Sequence, residues 1–282
     1  MLIFINQADL INYLQPFYKQ KISIGLVPTM GALHDGHLSL LKNSMAQNKI
    51  TVISIFVNPT QFNNVSDLEK YPRTLEKDIE KIQILSKEII IFAPSVKDIY
   101  EGKTVSASFD YDGLEHQMEG KHRPGHFNGV GTIVKKLFEI VQPTRAYFGE
   151  KDFQQLQIVK KLVEKLKMKV EIIGILIYRE KNGLAMSSRN ERLTDSEKEK
   201  AAIIFKILNQ SKILFKTKSA SEVGKWVESE FTKQIHFRLE YFEIADEKTL
   251  KPCIRKNKNK KYRAFIAVFV NEIRLIDTIS LN

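Results

Sequence analysis

The chain has 282 residues, 43% of them hydrophobic, and carries one cysteine. This length suits two domains of about 150 residues each, and the apolar content excludes an intrinsically disordered protein. One cysteine excludes an intramolecular disulfide. The N-terminus lacks the basic leader of an export signal, and no apolar run approaches the roughly 18 residues that span a bilayer. We therefore expect a cytoplasmic protein that does not insert into a membrane.

The formal net charge of +11 raises the question of a nucleic-acid partner. Most of the excess comes from lysines scattered along predicted helices. The densest basic run, residues 251–263, is interleaved with asparagine, as a solvated hairpin would be. This pattern favours a solvated surface and an anionic small-molecule substrate over nucleic acid.

The first 177 residues alternate between short apolar, β-branched runs and runs with helical spacing. The predicted strands lie at residues 22–27, 51–57, 88–92, 143–148 and 170–177. The predicted helices lie at residues 7–20, from 38 onward, 74–87 and 128–141. This alternation predicts an α/β fold with a doubly wound, Rossmann-like parallel sheet over residues 1–177.

The rest of the chain, residues 178–282, has a different pattern. Two helices are predicted at residues 195–215 and 221–234. Three strands are predicted at residues 237–244, 262–270 and 272–276. We expect a smaller α+β domain that forms a lid over the site, with the boundary near Tyr178.

The sequence PTMGALHDGH, residues 28–37, follows the first predicted strand and precedes a helix. It therefore lies at the carboxyl edge of the sheet, where open α/β folds bind ligands. His34 and His37 are three residues apart, so both rings project from one face at a helix N-terminus, where phosphate binds well. Zinc is a weaker alternative, because no cysteine or carboxylate cluster stands nearby.

Several other polar residues follow predicted strands. Asn58 and Gln61 offer amides for a small polar substrate, although ordinary turn polarity explains them equally well. Asp78, within a predicted helix, is on its pattern alone a solvated acid. In a loop bounded by glycine and proline, Arg123 suits a carboxylate. Lys151 suits phosphate.

The sequence GLAMSSRN, residues 183–190, follows the last strand of the first domain. Serine hydroxyls followed by an arginine on a glycine-containing loop suit a clamp on a triphosphate. Neither G-x-x-x-x-G-K-[ST] nor G-x-G-x-x-G occurs, so the sequence supports neither Walker nor dinucleotide chemistry.

These motifs together resemble the pantoate–β-alanine ligase family of the nucleotidylyl transferase superfamily. The resemblance rests on residues 28–37, 56–62, 71–73, 123–127, 148–152 and 183–190, in that order along residues 22–193. It implies ATP-dependent condensation of pantoate with β-alanine through a pantoyl adenylate, with release of pyrophosphate and AMP. It also implies Mg²⁺ with ATP and a homodimer.

Carried over by position, the resemblance assigns a role to each matched residue. It implies catalytic roles for His34, His37, Lys151, Ser187, Ser188 and Arg189. It implies ATP binding by these six together with Met30, Gly149, Asp152 and Met186. It implies pantoate binding by Met30, Asn58, Gln61 and Gln155. Asp78 matches an acid associated with Mg²⁺, and Glu119 and Arg123 match a segment that closes over the site.

Two other functions stay open at this point. A nucleotidyltransferase that joins AMP to a phosphorylated substrate would use the same scaffold, but the neutral pair Asn58 and Gln61 suits a phosphate acceptor poorly. A nucleic-acid-binding protein would use the basic C-terminal region and would lose affinity steeply with salt. Neither alternative accounts for the ordered motifs.

Overall fold

The structure is a computed structural model that describes residues 1–63 and 65–282. A six-stranded parallel sheet forms the first part of the chain, in the strand order β1-β4-β3-β2-β5-β6. The strands are β1 (Ile3–Phe4), β2 (Ile24–Thr29), β3 (Ile50–Ile55), β4 (Ile90–Phe92), β5 (Arg145–Gly149) and β6 (Glu171–Ile175). Because the strand order reverses beside β2, the crevice between the ends of β2 and β5 is the expected ligand position.

Helices cover both faces of this sheet, and apolar side chains fill the space between the layers. The helices of this part are α1 (Gln7–Lys19), α2 (Asp35–Gln47), α3 (Val65–Glu69), α4 (Leu75–Leu85), α5 (Val96–Tyr100), α6 (Met118–His122), α7 (His126–Val141) and α8 (Phe153–Leu166). The longest of them, α7, is hydrophobic on most of its surface and is largely buried. Strands buried on both faces explain the continuous apolar runs in the sequence.

The C-terminal part contains an antiparallel three-stranded sheet in the order β7-β8-β9. Its elements are α9 (Asp195–Ala201), α10 (Ile203–Phe215), α11 (Ala220–Thr232), β7 (Phe237–Asp246), β8 (Tyr262–Val270) and β9 (Ile273–Ser280). A separate apolar cluster lies between these helices and the sheet. Among the helices of the described residues, none has the length and apolar character needed to cross a bilayer.

The predicted fold class is confirmed: a doubly wound parallel sheet is followed by a smaller α+β part. The sequence pattern missed β1, because two residues are too short to show a period. It also predicted one helix at residues 195–215, whereas the chain forms α9 and α10 with Ala202 between them. The division into residues 1–177 and 178–282 stays a prediction.

Candidate active site

A cavity of about 230 Å³ opens at the carboxyl ends of the parallel strands. Most of the residues selected from the sequence line it, although they come from four separate parts of the chain. Those residues are Met30, His34, His37, Asn58, Gln61, Gly149, Lys151, Asp152, Gln155, Met186, Ser187, Ser188 and Arg189. Glu119 and Arg123 line a smaller adjoining cavity that shares Lys151, Asp152 and Gln155. Asp78 borders a different cavity on the far side of Met30.

The two histidines form one wall of the main cavity. His34 is the N-cap of α2, and its backbone N–H donates to Nδ1 of His37 across 3.3 Å. Since His37 Nδ1 accepts this bond, the ring proton of neutral His37 lies on Nε2. The two ring centroids lie 4.0 Å apart, with the ring planes tilted by 31°.

Both imidazoles are held uncharged. Burial, reinforced by His37 and Lys151, lowers the pKa of His34 to about 2, and burial with Lys151 lowers the pKa of His37 to about 4. At pH 7 the rings are therefore neutral N–H donors. Hydrogen bonds from such donors can stabilise the negative charge that develops on phosphate oxygens when a nucleophile displaces a group at phosphorus.

The amides of Asn58 and Gln61 lie beside this wall, and the structure gives them unequal surroundings. The sequence predicted that both amides are exposed, but both are buried: Asn58 is 1% exposed and Gln61 is 8% exposed. Its Nδ2 donates to Gln61 Oε1 and to the Gly129 carbonyl, and its Oδ1 accepts from the hydroxyls of Tyr100 and Thr60. All four hydrogen-bonding positions of Asn58 are thus taken by protein groups. Gln61 Nε2, by contrast, lies 2.8 Å from Met30 Sδ in the cavity wall.

His126, which the sequence analysis did not select as a site residue, holds Gln61 from behind. Its Nδ1 donates to the Gln61 carbonyl at 2.8 Å, and its Nε2 accepts from Arg123 Nη1 at 3.3 Å. This assignment follows because a carbonyl only accepts and a guanidinium only donates. Burial, with Arg123 nearby, lowers the pKa of His126 to about 4.

The segment after β5 supplies the polar groups at the cavity floor. Glu150–Asp152 is a 3₁₀ turn that leads into α8. Lys151 Nζ lies 3.2 Å from Asp152 Oδ2, and Gln155 follows one turn later on α8. Lys151 lines the same cavity as the two histidines.

The loop after β6 closes the opposite wall. Ser188 Oγ donates to the Ala32 carbonyl at 3.0 Å, so this loop is fastened to the histidine turn. Ser187 Oγ accepts from the Arg189 N–H, and Arg189 Nη2 pairs with Asp67 Oδ2 at 3.1 Å. The structure thus brings the two most widely separated motifs of the sequence into one cavity.

The whole chain also matches known proteins. The family model of pantoate–β-alanine ligase matches residues 3–280. The chain belongs to this family. The pantothenate synthetases of Flavobacterium psychrophilum and Christiangramia forsetii are 69% identical over 281 residues and 53% identical over 282 residues, and each alignment covers 100% of both chains.

Solved structures agree with the family assignment. A crystal structure of pantothenate synthetase from Thermus thermophilus has a TM-score of 0.90 at 37% identity and covers 100% of this chain and 99% of that one. A pantoate–β-alanine ligase from Francisella tularensis, complexed with β-γ ATP and β-alanine, has a TM-score of 0.82 at 36% identity, with 100% and 98% coverage. These matches confirm the enzyme family and the fold expected from the sequence.

Within this family architecture, Glu119 joins the parallel-sheet part to the C-terminal sheet. Its carboxylate accepts two hydrogen bonds from Arg274 of β9, at 2.7 and 2.8 Å, and one from Tyr241 of β7 at 2.7 Å. Burial alone would raise the pKa of Glu119, but the hydrogen bonds from Arg274 bring it down to about 2. Arg123 Nη1 lies 3.9 Å from the same carboxylate. Because Arg274 lies about 150 residues further along the chain, no local pattern indicates this contact.

Asp78 does not have the surroundings of a Mg²⁺ ligand. It is 1% exposed, which corrects the expectation of a solvated acid, and both of its carboxylate oxygens accept hydrogen bonds from the protein. In the described part of the chain, no group of three or more histidine, cysteine or acidic residues is placed to hold a metal ion. A protein carboxylate that holds Mg²⁺ beside waters and substrate phosphates needs an oxygen that protein donors leave free for the metal. The residues present therefore do not fit a protein-held Mg²⁺ at this position.

Proposed function

We propose that this chain condenses pantoate with β-alanine in two ATP-dependent steps. In the first, a pantoate carboxylate oxygen attacks the α-phosphorus of ATP, a new O–P bond forms, and the bond to the departing pyrophosphate breaks. In the second, the β-alanine amine attacks the carbonyl carbon of pantoyl adenylate, loses a proton, and displaces AMP. Adenylation is needed because a free carboxylate is a poor acyl donor.

One observation carries the proposal: the neutral histidine pair, Lys151 and the Ser187–Arg189 motif share a cavity with the uncharged amides of Gln61 and Gln155. The first set suits a triphosphate, and the second suits the hydroxyls and carboxylate of a small acid. The chemistry requires positioning and charge stabilisation rather than a nucleophilic side chain.

The site residues take the following proposed roles. His34 and His37 donate to phosphate oxygens at the α-phosphorus, while Lys151, Ser187 and Arg189 hold the developing charge of the leaving pyrophosphate. Met30, Gly149, Asp152 and Met186 complete the nucleotide site. Ser188 joins the phosphate-binding loop to the histidine turn.

On the pantoate side, Gln61 and Gln155 bind the substrate directly, beside Met30. Asn58 acts on pantoate through Gln61, because its own hydrogen-bonding positions are taken. These uncharged amides favour pantoate over a phosphorylated acceptor, which would need cationic partners. The simple nucleotidyltransferase is therefore the less favoured alternative.

The proposal also covers the metal, the oligomeric state, the compartment and the closure of the site. We expect ATP to enter as its Mg²⁺ complex, a cytoplasmic homodimer, and closure of residues 178–282 over the site, with Glu119 and Arg123 at the junction. Closure would protect the adenylate from hydrolysis.

The test is exchange of labelled pyrophosphate into ATP in the presence of Mg²⁺, because this reaction isolates adenylation. We expect exchange that requires pantoate and occurs without β-alanine, while unrelated carboxylic acids give none. Absence of exchange with pantoate, in folded protein that binds ATP, would contradict the ligase assignment and favour the nucleotidyltransferase alternative.

A further inference from the structure

Asp78 is a buried carboxylate for which the proposed reaction has no direct use. It lies in the first turn of α4 and points into the protein rather than into the main cavity. Its Oδ1 accepts from the Leu33 N–H at 2.7 Å, and its Oδ2 accepts from the Ala32 N–H at 3.0 Å. The Thr74 hydroxyl is a third donor, at 3.3 Å from Oδ2. The Asp78 carboxylate thus accepts hydrogen bonds from the turn at Ala32 and Leu33 and from Thr74, the residue before α4.

The backbone that Asp78 holds has an unusual conformation. Gly31 has φ of 82° and Ala32 has φ of 49°, so two successive residues lie in the left-handed region. A side-chain-bearing residue such as Ala32 is strained there. Ala32 is 2% exposed and Leu33 is fully buried, so water cannot satisfy their N–H groups. The two hydrogen bonds to Asp78 therefore offset the cost of this turn.

The same turn connects both walls of the cavity. Its next residue, His34, is the N-cap of α2 and begins the histidine pair. On the other side, the Ala32 carbonyl accepts from Ser188 Oγ at 3.0 Å. The Asp78 carboxylate thus fixes the Ala32–Leu33 segment. His34 follows this segment directly, and Ser188 bonds to its Ala32 carbonyl.

The surroundings argue against a metal at this carboxylate. Three donors occupy most of the roughly four acceptor positions of the Asp78 carboxylate, which leaves little oxygen free for Mg²⁺ in this buried turn. The nearby Lys81 donates from Nζ to the Leu33 carbonyl, which places a cation on the turn held by Asp78.

We infer that Asp78 is a positioning residue that sets the histidine turn and its junction with Ser188, and that it is not a ligand of Mg²⁺. The expected effect of Asp78 on catalysis rests on the proposed function. The expected effect of Asp78 on the stability of the protein without metal or nucleotide does not depend on the reaction.

The decisive variant is Asp78→Asn, which keeps the shape but turns an NH₂ group toward one of the two N–H donors. The matched control is Glu76→Gln, which removes an exposed carboxylate from the same helical turn. In EDTA without nucleotide, we expect Tm of Asp78→Asn to fall by roughly 2–10 °C. Tm of the control should stay within about 1 °C.

Two further measurements separate positioning from general destabilisation. The imidazole Cε1–H resonances of His34 and His37 should shift in Asp78→Asn and stay in place in Glu76→Gln. In pyrophosphate exchange below the Tm of both proteins, the rate should fall about tenfold or more, on the order expected for misplaced catalytic groups. The Mg²⁺ concentration for half-maximal rate should stay within about twofold, since metal affinity is not expected to change.

A severalfold increase in the Mg²⁺ requirement would overturn the inference, as would an unchanged Tm in EDTA with unmoved histidine resonances. If Asp78→Asn does not fold, Asp78→Glu replaces it: the carboxylate is retained but misplaced, and the same loss of rate with an unchanged Mg²⁺ requirement is expected. If the unaltered chain shows no exchange, the proposed function fails, whereas the Tm and resonance measurements still decide the role of Asp78.

Discussion

The two walls of the main cavity are held in place by different means. The histidine wall, residues 28–37, is embedded in the parallel-sheet part, with Leu33 fully buried and its backbone bonded to Asp78. The serine wall, residues 183–190, is attached through side-chain contacts to both parts of the chain: Ser188 Oγ donates to the Ala32 carbonyl, and the base of the loop bonds to the C-terminal sheet. Arg179 at its base makes a bidentate pair with Asp277 of β9, at 2.7 and 2.9 Å.

This difference indicates that the two walls have different roles in the reaction. A wall fixed by the core presents its donors in one geometry, which suits stabilisation of a transition state. A wall bonded to both parts of the chain is placed by the way those parts meet, which suits admission of substrates and exclusion of water. We therefore expect substitutions in the first wall to affect chemistry, and substitutions at the base of the second to affect how well the loop is placed.

The largest effect is expected for His37→Ala in the fixed wall. It removes the Nε2–H donor and the acceptor of the His34 N–H. Exchange turnover should fall by roughly 10²–10³, with ATP affinity changed only severalfold, because the donor acts mainly in the transition state. Turnover and the dissociation constant of ATP measure the two effects. The control is the exposed His116→Ala, and an equal loss of ATP affinity and turnover would contradict the assigned role.

A smaller effect is expected for Arg179→Lys at the base of the second wall. Lysine keeps the charge but loses the fork that pairs with Asp277 and the bond to the Gly183 carbonyl. We expect exchange turnover to fall roughly tenfold, as one or two charge-assisted hydrogen bonds are lost.

A matched control exists for this change. Arg238 stacks on Phe269 at 4.0 Å, much as Arg179 stacks on Phe205 at 3.8 Å, but Arg179 also bonds, through the Gly183 carbonyl, to the loop that lines the main cavity. Arg238→Lys should therefore leave turnover unchanged. Turnover of Arg179→Lys within about twofold of the unaltered chain would show that the C-terminal sheet does not position the loop.

The last effect is on stability rather than on turnover, and it concerns His126, which contacts the Gln61 carbonyl. Its pKa of about 4 in the folded chain lies below the ordinary value of 6.5. Below pH 6.5 the His126 imidazole binds a proton in the unfolded chain but stays neutral in the folded chain. The free energy of unfolding therefore falls as the pH drops toward 4. For this one group the loss at pH 5 is about 2 kcal/mol.

His126→Gln should remove that loss, because its amide can donate to the Gln61 carbonyl and accept from Arg123. The free energy of unfolding is measured with urea at pH 7, 6 and 5. Between pH 7 and pH 5, it should decline by about 2 kcal/mol less in His126→Gln than in the unaltered chain. The exposed His236→Gln should decline like the unaltered chain. An identical decline in His126→Gln would show that His126 is not held neutral.

The sequence was sufficient for the architecture because its signals are local. Apolar β-branched runs mark the inner strands, and the polar motifs directly after them had to meet at one sheet edge. The meeting of residues 28–37 and 183–190 in one cavity was predictable for that reason. The positions of Glu119 and Arg179 relative to the C-terminal sheet were not, since their partners Arg274 and Asp277 lie far along the chain.

Asp78 shows a second kind of limit. Its position four residues before the buried Ile82 placed it on the inward face of α4, and this spacing was a usable signal of burial. What the acid binds there depends on the left-handed turn at Ala32, and no local preference of alanine predicts that conformation. Tertiary contacts decide the role of this residue.

The most direct test of the account is the fate of oxygen in the complete reaction with ¹⁸O-carboxylate pantoate, ATP and β-alanine. An acyl adenylate requires the carboxylate oxygen that attacked the α-phosphorus to leave with AMP. We predict one ¹⁸O atom in each AMP and the other in the amide product. Unlabelled AMP, or label in inorganic phosphate with formation of ADP, would contradict activation of pantoate at the α-phosphorus and with it the roles given to both walls.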